Sequence, residues 1–204
     1  MMIRGFANYF GRVYKTAKRR SPTSLYPQLV FTRQRLLEFR EKGILPVETI
    51  DQLIDAVPTL FGDQYRQGIT NGNLSQTNIR IDSKTYEICG IVDWSCARIF
   101  LFGTEMDILI EFTGFKDFGT WCDYECKSKC ISAFWDRFWI SSGIGAGLTG
   151  ISQQNQIREL AMTTAKINAI LRLGFQRNQQ GWSVGEFLCT IADRQQLQAW
   201  FGVL

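Results

Sequence analysis

The stretch ITNGNLSQTNIRI, from Ile69 to Ile81, carries three asparagines, Asn71, Asn73 and Asn78, and no acid; Asp93 follows in GIVDWS. Amide and carboxylate oxygens are hard donors of the kind Mg²⁺ accepts. An amide has no useful basicity near neutral pH, so this loop carries no general base of its own. The chain has no histidine, which excludes Ser-His-Asp and Cys-His machinery within it. Asn and Asp are also frequent turn formers, and side chains that bond the nearby backbone account for the same residues without any chemistry.

Two β segments must position these residues. QGIT leads into the polar loop, NIRID alternates, SKT is turn-like and YEICGIVDW follows. Asn78–Asp82 and Glu87–Val92 are therefore expected to form a hairpin turning near Ser83–Lys84. A hairpin sets its outer ends side by side, which brings Asn78 next to Asp93.

The flanking sequence reads as helix. TRQRLLEFREKG forms a charged amphipathic helix ended by Gly43, after two prolines in SPTSLYPQLV. VETIDQLIDAVPTLF follows, with Val47, Ile50, Leu53, Ile54 and Val57 on one stripe. TEMDILIEFTG is expected as a buried helix, SKCISAFWDRFWISSG as an amphipathic one, and QIRELAMTTAKINAILRLGF as a long helix stopped near Gly174. SVGEFLCTI and ADRQQLQAWFG supply the last helical turns. Phe134, Trp135, Phe138 and Trp139 fall at helical spacing and read as core rather than as a base-stacking platform. SSGIGAGLTGIS is Gly-rich, but no Lys follows and no strand precedes it, so it is a flexible connection and not a phosphate-binding loop.

With 204 residues and a net charge of +4, the chain has the size of one domain and too little positive charge to imply nucleic-acid binding. The charge is uneven, because Glu38 is the first acid while Arg4, Arg12, Lys15, Lys18, Arg19, Arg20, Arg33 and Arg35 precede it. Ile3, Phe6, Phe10, Val13, Tyr14 and Ala17 recur at helical spacing, so residues 1–20 form a basic amphipathic helix. It reads as a helix packed on its own domain, 21–204; a mitochondrial presequence or membrane-surface helix fits the same pattern. No apolar run reaches the length of about 20 residues that a bilayer span needs. A cytoplasmic protein with reduced, scattered cysteines is expected. Cys122, Cys126 and Cys130 share a four-residue spacing that aligns three thiols on a helix, and they read as buried free thiols rather than a zinc site.

NGNLSQTN followed by GIVDWS resembles the HGDLxxxN … IDW pattern of the aminoglycoside phosphotransferase and choline kinase-like family. RGFANYFGRVY, FGTEMDILIEFTGF and DYECKSKCISAFWDRFWISSGI look like its fungal branch, and the likeness covers about Arg4 to Gly174 before fading. The resemblance implies an α+β, mainly α fold: a protein-kinase-like C-terminal lobe with a small β-hairpin, the N-terminal β-rich lobe being absent. It places Asn73 where the catalytic base stands, Asn78 and Asp93 as ligands of the Mg²⁺ that holds ATP, and Asn71 at the family's histidine. It also makes Asp107 a buried acid bracing the loop through backbone hydrogen bonds; a charge favoured by a helix N-terminus is the alternative reading of that residue. Phe115, Phe118 and Trp121 fall where the family binds its small-molecule substrate.

The departures are an amide in place of the catalytic aspartate, a loss that typically costs roughly 10²- to 10⁴-fold, and nothing ahead of Asn71 that resembles the lysine-bearing strand of the missing lobe. The expectation is a truncated or pseudoenzyme relative of ATP-dependent small-molecule kinases, with Mg²⁺ and ATP binding weak or absent. A binding or scaffolding module, or an enzyme completed by another chain, are the alternatives. An uncovered lobe would expose apolar surface and favour a protein partner.

Overall fold

A computed structural model describes residues 2–19, 25–118, 120–145, 148–179 and 182–203. It is an α+β structure, mainly helical, with small antiparallel sheets. Seven helices, α1 (Met2–Thr16), α2 (Tyr26–Glu41), α3 (Val47–Leu60), α4 (Ile108–Glu111), α5 (Lys127–Ser142), α6 (Leu148–Gly174) and α7 (Ile191–Phe201), appear among the described residues.

The apolar stripe of the basic N-terminal helix packs inward. Phe6, Ala7, Phe10 and Val13 of α1 are buried with Phe134, Trp135 and Phe138 of α5, each large ring removing enough apolar area to contribute about 1.5–3 kcal/mol. The two helices approach so closely that a Cβ on Gly11 would meet Ser141 Cβ at 2.5 Å. Asn8 Oδ1 accepts hydrogen bonds from Arg137 Nε and Ser141 Oγ, both at 2.7 Å, across the same seam. The aromatic run of α5 is therefore core, as its helical spacing predicts.

A second core lies among α2, α3, α6 and α7, with Leu36, Phe39, Ile50, Val57, Leu60 and Leu197 fully buried or nearly so. Helix α6 serves both: Ala161 and Ala165 face the first core, Ile167, Ala169 and Ile170 the second. A helix buried on two sides loses the single apolar stripe of a surface helix.

Several boundaries differ from expectation. Helix α2 starts at Tyr26, with Pro27 in its first turn, because proline there gives up an N–H that has no intrahelical partner anyway. Pro22 of the same punctuation lies outside the described residues. TEMDILIEFTG forms only a 3-10 turn, Thr104–Asp107, and the single turn α4. Of the Gly-rich connection, 146–147 lie outside the described residues, and helices enter it from both sides: α5 ends at Ser142 and is capped by Gly143, whose φ of 77° suits a residue without Cβ, and α6 begins at Leu148. SVGEFLCTI is not helical; its Phe187 bridges Phe175, and α7 starts only after Thr190, which forms a capping box with Asp193.

Strands β1 (Lys18–Arg19), β2 (Arg66–Thr70) and β5 (Arg98–Leu101) form one sheet in the order β1-β2-β5. The expected hairpin is present as β3 (Ile79–Ile81) and β4 (Ile88–Ile91), with Ile79 opposite Ile91. A hairpin not foreseen in the sequence, β6 (Gly114–Asp117) with β7 (Thr120–Asp123), follows α4. No helix of the described residues is long and apolar enough to cross a membrane.

Candidate functional site

Strand β2 delivers the asparagine loop from its C-terminal end, where Thr70 pairs with Arg98. The chain turns at Gly72, with φ of 82°, and a Cβ there would meet the Cys96 carbonyl oxygen at 2.0 Å. Only glycine fits.

Asn71 is fully buried and fully used. Its Nδ2 donates to the carbonyls of Val92, at 3.2 Å, and Asp93, at 2.8 Å, while Oδ1 accepts the Asn73 N–H at 3.2 Å. Two carbonyls on one side and an N–H on the other leave a single orientation for the amide. Asn78 closes a 3-10 turn, and its Nδ2 donates to the Asn73 carbonyl at 2.9 Å. The Asn78 carbonyl accepts the Val92 N–H at 2.9 Å. Asn71, Asn73, Asn78 and Asp93 are thus drawn together, as the predicted hairpin requires.

Asp93 adopts φ of 55°, an uncommon conformation for a residue with a side chain. Its Oδ1 accepts the Ser95 hydroxyl at 2.6 Å. Asn73 does not stand free: its Oδ1 accepts from Arg177 Nη1 at 3.2 Å, and Arg177 Nη2 donates to the Gly72 carbonyl at 2.8 Å. A guanidinium therefore grips both the backbone and the side chain of the loop.

The brace expected from Asp107 is made by Glu105. Glu105 Oε2 accepts the Asn71 N–H at 3.0 Å and Oε1 the Gly72 N–H at 2.6 Å. Burial pushes the Glu105 carboxyl up to about 7; the two N–H donors oppose the shift, and the neighbouring Asp107 adds to it. Asp107 faces α6 instead. Its Oδ2 lies 2.8 Å from Arg172 Nε and accepts from Asn168 Nδ2 at 3.2 Å. The physical reason lies in the 3-10 turn that holds both acids: residues two apart there cannot point the same way. Arg172 also binds Glu111, so one buried cation serves two carboxylates. Burial raises the Asp107 carboxyl, and Arg172 opposes that.

Phe115 on β6, opposite Cys122, and Trp121 on β7, opposite Lys116, both line a cleft of ≈ 600 Å³ that also touches Tyr124, Phe112 and Gln76 of the asparagine loop. Phe118 stands apart, at the hairpin tip, fully exposed with φ of 44°. It lines no part of this cleft. Trp121 is itself buried and donates its indole N–H to Asp123 at 3.0 Å.

Sequence reasoning missed Glu105, Arg172 and Arg177. The signal for Glu105 was present, since an acid inside an apolar run must find donors, but TEMD holds two acids and local pattern does not rank them. Arg177 has no local signal; it reaches Asn73 across 104 positions.

For Mg²⁺, Asn78 commits only its Nδ2 among the described residues, which leaves its Oδ1 as a hard donor, and Asp93, next in the chain to the Val92 whose N–H bonds the Asn78 carbonyl, supplies a carboxylate. This donor set fits a cation that takes its remaining ligands from phosphate and water. No cluster of three or more His, Cys, Asp or Glu that would hold a metal by itself occurs among the described residues. In comparisons with family models, curated proteins and solved structures, the chain matches none.

Proposed function

We propose that this chain is a phosphotransferase-like pseudoenzyme of the aminoglycoside phosphotransferase and choline kinase-like type, keeping the shape of a catalytic loop as scaffold and having little or no turnover of its own. The observation that supports this reading is the state of Asn73. The residue at the base position is an amide whose oxygen is occupied by Arg177, so it neither accepts a proton at neutral pH nor faces an incoming hydroxyl freely.

In this reading Asn78 and Asp93 would hold Mg²⁺, which when bound neutralises the phosphate oxygens of ATP. Glu105, Asn71 and Arg177 hold the loop so that those two residues stay in register. A small molecule of the substrate class would sit against Phe115 and Trp121, near Gln76.

The test is titration calorimetry of Mg²⁺-ATP into the purified chain, with Asp93→Ala as control. Saturable heat lost in Asp93→Ala supports a working nucleotide site, and the accompanying turnover assay is expected to stay at background. Folded protein that gives no heat at millimolar nucleotide would remove Mg²⁺ and ATP from the reading. Turnover by the unmodified chain would overturn the pseudoenzyme assignment.

A further inference from the structure

The three aligned cysteines part company in the structure. Cys122 belongs to β7, whereas Cys126 is the N-cap of α5 and Cys130 lies one turn in. The Cys126 and Cys130 sulfurs are 3.7 Å apart, with the Cys130 thiol donating to Cys126 Sγ. Cys126 is exposed and Cys130 half-buried, a correction to the expectation of buried free thiols.

We propose that Cys126 and Cys130 form a dithiol–disulfide site that exchanges with low-molecular-weight disulfides such as oxidised glutathione, Cys126 attacking and Cys130 resolving. The roles follow from position. Cys126 is the exposed sulfur, it accepts the S–H contact, and it stands at the N-cap of a 16-residue helix, where an incoming disulfide reaches it before Cys130. Cys130 keeps its proton, because burial and the contact with Cys126 push its thiol up.

The chemistry balances without a further reactant. Cys126 thiolate attacks one sulfur of the glutathione disulfide, forming a mixed disulfide and releasing one glutathione thiolate. Cys130 thiolate then attacks Cys126 Sγ, the protein disulfide forms and the second glutathione leaves. The two protein protons pass to the two released thiolates. The protein pair is oxidised by two electrons and the glutathione disulfide is reduced by two.

Closure asks something of the helix. Residues four apart on a helix hold their Cβ atoms about 5–6 Å apart, whereas a disulfide wants roughly 3.5–4.5 Å. The first turn of α5 must therefore tighten or open, and the bond at stake is Cys130 N–H to the Cys126 carbonyl at 2.9 Å. Because Cys126 is a cap rather than a mid-helix residue, the adjustment is confined to one end. A disulfide closed against such geometry is easily reduced again, which is the mark of an exchanging rather than a structural bridge.

The experiment treats the reduced, full chain with oxidised glutathione and maps thiols by alkylation and peptide mass. Expected is the loss of two hydrogens joining the Cys126 and Cys130 peptides, reversed by dithiothreitol, with Cys89, Cys96, Cys122 and Cys189 still reduced. Cys130→Ser should accumulate a stable glutathione adduct on Cys126, and Cys126→Ser should slow reaction at Cys130 by about tenfold or more. Far-ultraviolet circular dichroism checks that each serine variant is folded. An adduct that persists on wild-type Cys126 without closing overturns the proposal, as does Cys130 reacting equally fast without Cys126 or another cysteine reacting first.

Discussion

The Glu105 carboxylate accepts the Gly72 backbone N–H at 2.6 Å. With the second bond, to Asn71 N–H, a buried acid holds the entrance of the asparagine loop by its main chain. Glu105→Ala leaves both N–H groups buried without partners and is expected to destabilise the fold by about 3 kcal/mol. Urea unfolding with an unchanged m-value measures it; a loss below about 1 kcal/mol would mean that water takes over both donors.

The same acid makes stability depend on pH. Its carboxyl moves from 4.5 in the unfolded chain up to about 7 in the fold, so the folded state binds the proton more readily. The stabilisation from protonated Glu105 is complete below about pH 4.5 and is lost as pH rises through about 7. Asp107, raised by its own burial, contributes in the same direction. Unfolding free energy should fall across this window, and Glu105→Gln should flatten the fall; an unchanged slope in that variant would place its source elsewhere.

Arg172 ties α6 to two acids, Asp107 and Glu111, in a site where its own side chain is only 16% exposed. Its protonated form is strongly held by both carboxylates, which outweigh burial. Arg172→Ala strands their charge and is expected to cost about 3–5 kcal/mol. Because Asp107 then loses its cation, the variant should recover part of that stability as pH is lowered, a pattern that simple loss of packing would not produce.

At Gly72 the constraint is geometric. Positive φ and a Cβ position 2.0 Å from the Cys96 carbonyl oxygen lead to an expected loss of about 2–4 kcal/mol for Gly72→Ala. Gly90→Ala is the control, since a Cβ there meets nothing within 4 Å. Comparable melting of the two variants would contradict the turn described for the loop.

Asn73→Asp places a carboxylate within 3.2 Å of Arg177 Nη1. An ion-paired hydrogen bond is roughly twice as strong as a neutral one, so a gain of about 1 kcal/mol is expected. The cation also favours the ionised form and weakens it as a base, so any turnover the substitution restores should stay low. A double-mutant cycle with Arg177→Met reads the coupling directly, and additive effects would show that the pair does not interact.

Much of this architecture is legible in the chain because it depends on near neighbours. The 3.6-residue spacing of Phe6, Phe10 and Val13 and of Phe134 and Phe138 set the buried faces of α1 and α5, and alternation around a turn set the β3–β4 hairpin that bonds Asn78 to Val92, one residue before Asp93. Where periodicity is short or mixed, it misleads: TEMDILIEFTG is apolar enough for a helix, yet it is interrupted after one turn of α4 and continues into β6. What the tertiary structure alone decided is which polar groups meet inside. Glu105 rather than Asp107 braces the loop, and Arg177 arrives at Asn73 from beyond α6. Backbone hydrogen bonding and side-chain periodicity are local and leave a trace in sequence, whereas a buried ion or donor is placed by whichever partner the packing of distant helices brings within reach.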